Sequence, residues 1–121
     1  MLSEAEVKAA FPQARVMESG DVRVWYTRPS RAQFRRYKPA AMLIGQLEQV
    51  PVGRMVEVQD AHLDALEQLA KDCTRSHTPA ELDQLLEDHP MLLEQIGSQC
   101  VVWMSAGVDP KGSSPQPSTS R

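Results

Sequence analysis

Two consecutive amphipathic helices, predicted between Ser76 and Gly107, constrain this chain more than any other segment. Thr78 is placed to cap the first helix, because Pro79 suits the first helical position and Glu81 completes a capping box. The apolar residues of this helix share one face: Leu82, Leu85 and Leu86. A helical pair with so much one-sided apolar surface must bury it, either within its own domain or against a partner.

The break between these helices falls at His89 and Pro90, since proline lacks an N–H and disfavours helical geometry in the residue before it. The second helix then runs toward Gly107, which is well placed to end it. Its apolar stripe comprises Leu92, Ile96, Cys100, Trp103 and Met104. Val101 and Val102 widen that surface beyond one face, so the helix is either buried on all sides or presents part of its surface to a partner.

The N-terminal part of the chain predicts a short helix and a β-hairpin. Ser3 and Glu6 form a capping box that opens the helix. The hairpin, at about residues 13–27, is indicated by two runs rich in valine and aromatic residues around a glycine turn. Trp25 lies on the hairpin face opposite the aliphatic one, where it either packs over the hairpin edge or anchors a partner.

Between the hairpin and the final helices, the sequence predicts two further helical regions. A capping-box pattern starts the first at Arg31, and Pro39 leaves open whether this region is one kinked helix or two. After a proline–glycine break, residues 55–58 are read either as a short strand or as an extended linker. Asp60 is then predicted to cap a helix over residues 61–75. The apolar stripe of that helix is Leu63, Leu66, Leu69, Ala70 and Cys73.

The predicted fold class is α+β and mainly α-helical, with the short N-terminal β-hairpin followed by a small helical bundle. A length of 121 residues suits one small domain, placed over residues 1–107. The tail, residues 108–121, is rich in serine and proline and is predicted to be disordered. No stretch has the roughly 20 apolar residues of a membrane span, and the N-terminus lacks the pattern of a secretory leader. A reduced cytosolic protein is therefore expected, with Cys73 and Cys100 buried as free thiols.

A net charge of −3 hides a strong polarity along the chain. Residues 23–38 carry six basic and no acidic side chains, whereas residues 61–107 carry two basic and eight acidic ones. This polarity favours head-to-tail self-association or a charged partner, unless the two segments are simply solvated differently. Nucleic acid is a weaker candidate, because the chain is acidic overall, with a pI near 5.6. The candidate partner-binding residues are Trp25, Arg31, Arg35, Arg36, Leu92, Ile96, Val102 and Trp103.

The sequence carries no motif typical of catalysis or metal binding. A structural zinc site needs two closely spaced ligand pairs, and here only Cys73 and His77 approach one. A cysteine nucleophile needs a base and an orienting group, and nothing in the sequence marks such a trio. The scattered glycines form no phosphate-binding loop. We therefore expect a protein that is not an enzyme and that uses no metal or cofactor.

The order of these parts resembles the tail assembly chaperones of long-tailed bacteriophages and their prophages. The shared features are a hairpin, an arginine-rich segment, a helix ending in cysteine and a P-x-E-L-x-x-L-L-x-x-x-P segment. The matching positions are Pro29, Arg31, Ala32, Phe34, Tyr37, Cys73, Pro79, Leu82, Leu85, Leu86 and Pro90. The resemblance spans residues 22–107. The chain departs from the family pattern over residues 46–58, where a proline–glycine insertion replaces a short linker between helices.

This resemblance implies a protein that binds the phage tape-measure protein and recruits tail-tube protein in the host cytoplasm, by protein–protein contact alone. It also implies self-association, a frameshifted longer form and no catalytic residues. The alternative is a small phage-encoded regulator or inhibitor that binds a host protein or nucleic acid through the basic surface. The sequence leaves open the oligomeric state, the partner's identity and which apolar helix face is an interface.

Overall fold

The computed structural model describes residues 1–106, and it is 64% helical with a two-stranded antiparallel hairpin near the N-terminus. The helices are α1 (Glu4–Ala10), α2 (Arg31–Gly45), α3 (Met55–Cys73), α4 (Pro79–Leu85) and α5 (Leu92–Ser105), and the strands are β1 (Arg15–Ser19) and β2 (Val22–Tyr26). The predicted mainly helical α+β class is confirmed. Gly107 as a helix terminator and the disordered tail over residues 108–121 are predictions that lie outside the described residues.

The starts of three helices follow the capping boxes that the sequence predicts. In each, the cap hydroxyl accepts a hydrogen bond from the backbone N–H three residues on, and that residue's side chain accepts one from the cap N–H. The pairs are Ser3 with Glu6, Ser30 with Gln33, and Thr78 with Glu81. These local bonds satisfy N–H groups that have no partner inside the helix.

The hairpin turns at Gly20, whose φ of +60° lies in the left-handed region that favours glycine. A segment that follows α3 covers the free edge of β2. Tyr26 bridges Thr74 there, and the Arg75 N–H donates to the Trp25 carbonyl over 2.8 Å. The edge strand is therefore paired at this end rather than left open.

Pro39 does not break α2, which runs continuously to Gly45. The proline removes one N–H, so the carbonyl of Arg35, four residues earlier, loses its helical donor. Pro39 and Arg35 are both exposed, so water can reach that carbonyl. Of the two possibilities that the sequence leaves open, the structure has the single helix.

The prediction for residues 55–58 is wrong, because these residues form the first turn of α3 rather than a strand or linker. Asp60 accordingly lies inside the helix and does not cap it. Two short 3-10 turns, Leu47–Gln49 and Val52–Arg54, connect α2 to α3. The physical reason is helical spacing: five side chains that alternate three and four residues apart share one face of a single helix. They are Met55, Val58, His62, Ala65 and Leu69. This row starts one turn before the predicted cap.

The central helix α3 packs against both α2 and α5. The main core is built from β2, α2, α3, α4 and α5, and includes the fully buried Leu69 and Leu82. A smaller cluster of Val7, Ala14 and Trp25 fills the space between α1 and the hairpin. Within residues 1–106, every helix is too short or too polar to cross a membrane.

Candidate protein-interaction surface

The distal half of the α2–α3 hairpin, residues 42–63, extends past the main core, and we call it the arm. The main core takes residues of α2 only up to Ala41 and residues of α3 only from Ala65 onward. Within the arm, Val58 is buried, whereas most other positions are exposed. The arm is thus a pair of antiparallel helices that pack chiefly on each other.

Exposed apolar side chains concentrate on the arm. Of nine large apolar side chains that are strongly exposed in residues 1–106, five belong to it. Their exposed fractions are 62% for Met42, 48% for Leu43, 84% for Val52, 66% for Val56 and 40% for Leu63. Single exposed apolar residues are ordinary on protein surfaces, but a local concentration of them marks an interaction site.

Val56 and Leu63 are exposed because α3 carries a second, mainly apolar row of side chains, and only half of that row is covered. The first row faces α2, as the 2.9 Å bond between the Tyr37 hydroxyl and His62 Nε2 indicates. The second row is Val56, Gln59, Leu63, Leu66, Ala70 and Cys73. Its C-terminal half is covered by α5, since Gly97 lies directly against the Leu66 backbone. Val56 and Leu63 are left on an open face with the spacing that a further helix would fit.

The two helices of this hairpin carry opposite charge. The charged residues of α2 are all basic: Arg31, Arg35, Arg36 and Lys38. Those of α3 are acidic except for Lys71: Glu57, Asp60, Asp64, Glu67 and Asp72. Among the described residues, one ion pair joins the two helices, between Arg36 Nη2 and Asp72 Oδ2 at 3.6 Å. The basic residues of α2 all lie in its N-terminal half, outside the arm, so the open face is bordered by the acidic residues of α3.

Three of the predicted partner-binding residues are buried in the folded chain. Leu92 and Ile96 are 1% and 0% exposed and belong to the main core. Trp25 is 7% exposed, and the Lys8 ammonium lies 5.2 Å from its ring centroid. Their expected place on a partner-binding surface is wrong, because the other elements of the main core cover the face of α5 that carries Leu92 and Ile96, and α1 covers Trp25.

The other predicted residues lie at the surface but do not form one patch with the arm. Arg31 and Arg35 are exposed, and neither makes an ion pair within residues 1–106. Val102 is 57% exposed on α5. Trp103 is half-buried and packs edge to face on Tyr26, with a centroid distance of 6.0 Å.

The buried thiols of Cys73 and Cys100 lie in the same core cluster. A hydrogen bond to Cys73 and burial both raise the pKa of the Cys100 thiol, which disfavours the reactive thiolate. Over residues 1–106, no cluster of three or more histidine, cysteine or acidic side chains has an arrangement suited to a metal ion.

We expect the free energy of unfolding to decrease as the pH falls from 7 to 4. Burial lowers the pKa of His77 below its ordinary 6.5, so the unfolded chain takes up a proton that the folded chain resists. A hydrogen bond from the Thr78 N–H lowers the pKa of Glu81, whose stabilising contribution is present above the unfolded carboxyl pKa and lost below it. Urea unfolding at pH 7, 5.5 and 4 measures both steps. His77→Gln should flatten the first step, and a stability that rises toward pH 5.5 would contradict this explanation.

No known protein-family model matches this chain, and no curated protein or solved structure matches it significantly. The candidate site is therefore defined by its own geometry. Sequence reasoning missed the arm because it began the helix at Asp60. The helical spacing of the second row, which begins at Val56, is the sequence signal that indicates the earlier start of this helix.

Proposed function

We propose that this protein is an assembly chaperone that acts by protein–protein contact, and that its arm holds an amphipathic helix of the partner. The observation that carries the proposal is the open half of the second row on α3, where Val56 and Leu63 are exposed among the acidic residues of that helix. Helices bind such surfaces by laying an apolar stripe into the groove between two existing helices.

The charges on the arm specify the chemistry of the partner helix. Its apolar stripe meets Val56 and Leu63, and its basic residues lie toward Glu57 and Asp60. Such complementarity steers association. A long, mostly helical protein offers many stripes of this kind.

The resemblance to phage tail assembly chaperones supports a more specific proposal. Its hairpin corresponds to β1 and β2, its arginine-rich segment starts α2, and its cysteine ends α3 at Cys73. On this basis the partners are the phage tape-measure protein and the tail-tube protein, bound in the host cytoplasm. Self-association is also proposed, because a second copy carries the same pair of oppositely charged helices.

The test is co-purification from cells that express this protein with the phage genes that neighbour its own. We expect recovery of a long helical structural protein or of tail-tube protein. Val56→Asp should reduce this recovery at least about tenfold, because a carboxylate buried without a partner costs more than 1.4 kcal/mol. The variant should still fold, since Val56 is the second residue of α3 and a helix N-terminus favours negative charge. Val102→Asp, on the exposed part of α5, is the matched control and should bind normally.

Other results would reassign the surface. A complex with nucleic acid or a host protein, without any phage structural protein, would overturn the chaperone proposal and favour the regulator. Loss of binding with Arg31→Glu and Arg35→Glu but not with Val56→Asp would place the contact on the basic helix. If light scattering detects a dimer that Val56→Asp dissociates, the arm serves self-association instead.

A further inference from the structure

A second surface, which shares no residue with the arm, surrounds a cavity of about 350 Å³. Its wall is formed by residues 10–14, which are the last residue of α1 and the loop leading to β1, together with Thr27, Arg28 and Trp103. The volume lies at the lower end of the range for ligand pockets, about 300–1,000 Å³. The cavity is therefore large enough for one or two side chains of a partner.

Apolar groups dominate the wall of this cavity. The half-buried rings of Phe11 and Trp103 contribute to it, together with Ala10, Pro12 and Ala14. The side chains of the wall include no carboxylate. An apolar side chain that enters the cavity is thus removed from water without displacing an ion pair.

Three arginines surround this apolar wall. The Arg15 guanidinium carbon lies 3.7 Å from the ring centroid of Trp103, and that of Arg75 lies 4.9 Å from the ring centroid of Phe11. Arg75 is also held by its Nε, which donates to Thr27 Oγ1 over 3.0 Å.

Arg28 forms part of the wall itself and is exposed. None of the three arginines makes an ion pair with a carboxylate in the part of the chain that the structure describes. Arg15 and Arg75 are stacked on rings, which limits their motion and leaves N–H donors for a ligand.

We propose that this cavity binds a short acidic segment of a partner protein, with one aromatic or aliphatic side chain in the cavity and flanking carboxylates on Arg15, Arg28 and Arg75. The apolar side chain supplies burial, and each carboxylate accepts charge-assisted hydrogen bonds from a guanidinium. This proposal is independent of the proposed function, because it uses neither the arm nor the resemblance.

A nucleic acid is a poorer fit to the same groups. Bases bind such surfaces by stacking on open aromatic faces. Here a guanidinium already lies over Trp103 and another over Phe11, so those ring faces are occupied. The wall also offers few polar groups to read a base edge. Charge and shape together favour an acidic, apolar peptide.

The experiment is fluorescence anisotropy with the full chain and a fluorescein-labelled peptide of alternating aspartate and phenylalanine. We expect saturable binding that weakens at least tenfold between 50 and 500 mM salt, and no binding of the matched peptide with lysine in place of aspartate. Arg28→Glu should weaken binding at least tenfold. Ala10→Trp, at an exposed position of the wall, should do the same by filling the cavity without changing its charge. Arg31→Glu, an exposed arginine outside the cavity, is the control and should bind normally.

Three results would overturn the proposal. Peptide binding that survives Ala10→Trp places the peptide elsewhere on the surface. An oligonucleotide of the same length that binds more tightly than the peptide, and is lost with Arg28→Glu, makes the site a nucleic-acid site. A tenfold gain of peptide affinity in Asp109→Lys means that the chain's own C-terminal segment competes for the cavity, whereas unchanged affinity supports a separate partner.

Discussion

Replacing Gly97 with alanine is expected to lower the free energy of unfolding by about 3 kcal/mol, at the upper end of overpacking effects. At this position α5 lies directly on the backbone of α3. An added Cβ would overlap the Leu66 carbonyl oxygen and would lie 3.0 Å from the Leu66 carbonyl carbon. Backbone atoms cannot rotate out of the way as a side chain can. The two helices would have to separate, and the core on both sides of the contact would lose packing.

Gly45→Ala is the matched control for this prediction. Gly45 is also helical, at the end of α2, but apart from its chain neighbours and the backbone of its own helix no atom lies within 4 Å of the position a Cβ would take. Alanine is the better helix former, so this variant should equal the original protein or gain up to about 1 kcal/mol. Urea unfolding followed by circular dichroism measures both. If Gly97→Ala is as stable as Gly45→Ala, the packing of α5 on α3 is not as described.

The second large effect is expected for Ile96→Ala, which should cost about 2–5 kcal/mol of unfolding free energy. The Ile96 side chain is 0% exposed in the main core, so truncation removes buried apolar surface and leaves a cavity. Val102→Ala on the same helix should change stability by no more than about 0.5 kcal/mol, because Val102 is 57% exposed. Ile96 and Val102 were equivalent partner-binding candidates in the sequence. A stable Ile96→Ala that fails to bind a partner would reverse this assignment.

Much of the local structure is predictable because it depends on short-range chemistry. The three capping boxes involve bonds between residues three apart, and the hairpin turn needs only a glycine in the right place. The face formed by Leu82, Leu85 and Leu86 also follows from helical spacing, with Leu82 fully buried and the other two packed at the edge of the core.

The rest could not be read from local patterns, because it depends on how distant elements pack. Alternation along β2 puts Trp25 on the face away from the aliphatic one. That face is buried only because α1 packs over it and places Val7 in the same cluster as Trp25. In the same way, the stripe of α5 gives no sign of which residues meet α3 and which meet solvent.

The candidate site likewise combines features that the sequence shows with features that depend on the packing of distant elements. The opposite charges of two chain segments are visible in the sequence, but their neighbouring positions depend on the antiparallel packing of α2 on α3. The exposure of Val56 and Leu63 depends on where α5 stops covering α3. This is why the sequence pointed to Leu92 and Ile96, which are apolar but buried, and not to the arm.

Hydrogen–deuterium exchange on the co-purified complex tests the role of the arm most directly. Compared with the free protein, we expect slower amide exchange over residues 52–63, the part of the arm that carries Val56 and Leu63. The amides of α5 should change little, because that helix is already packed in the core. Protection confined to residues 101–105 or to residues 31–38, with residues 52–63 unchanged, would contradict the assignment of the arm as the partner-binding surface.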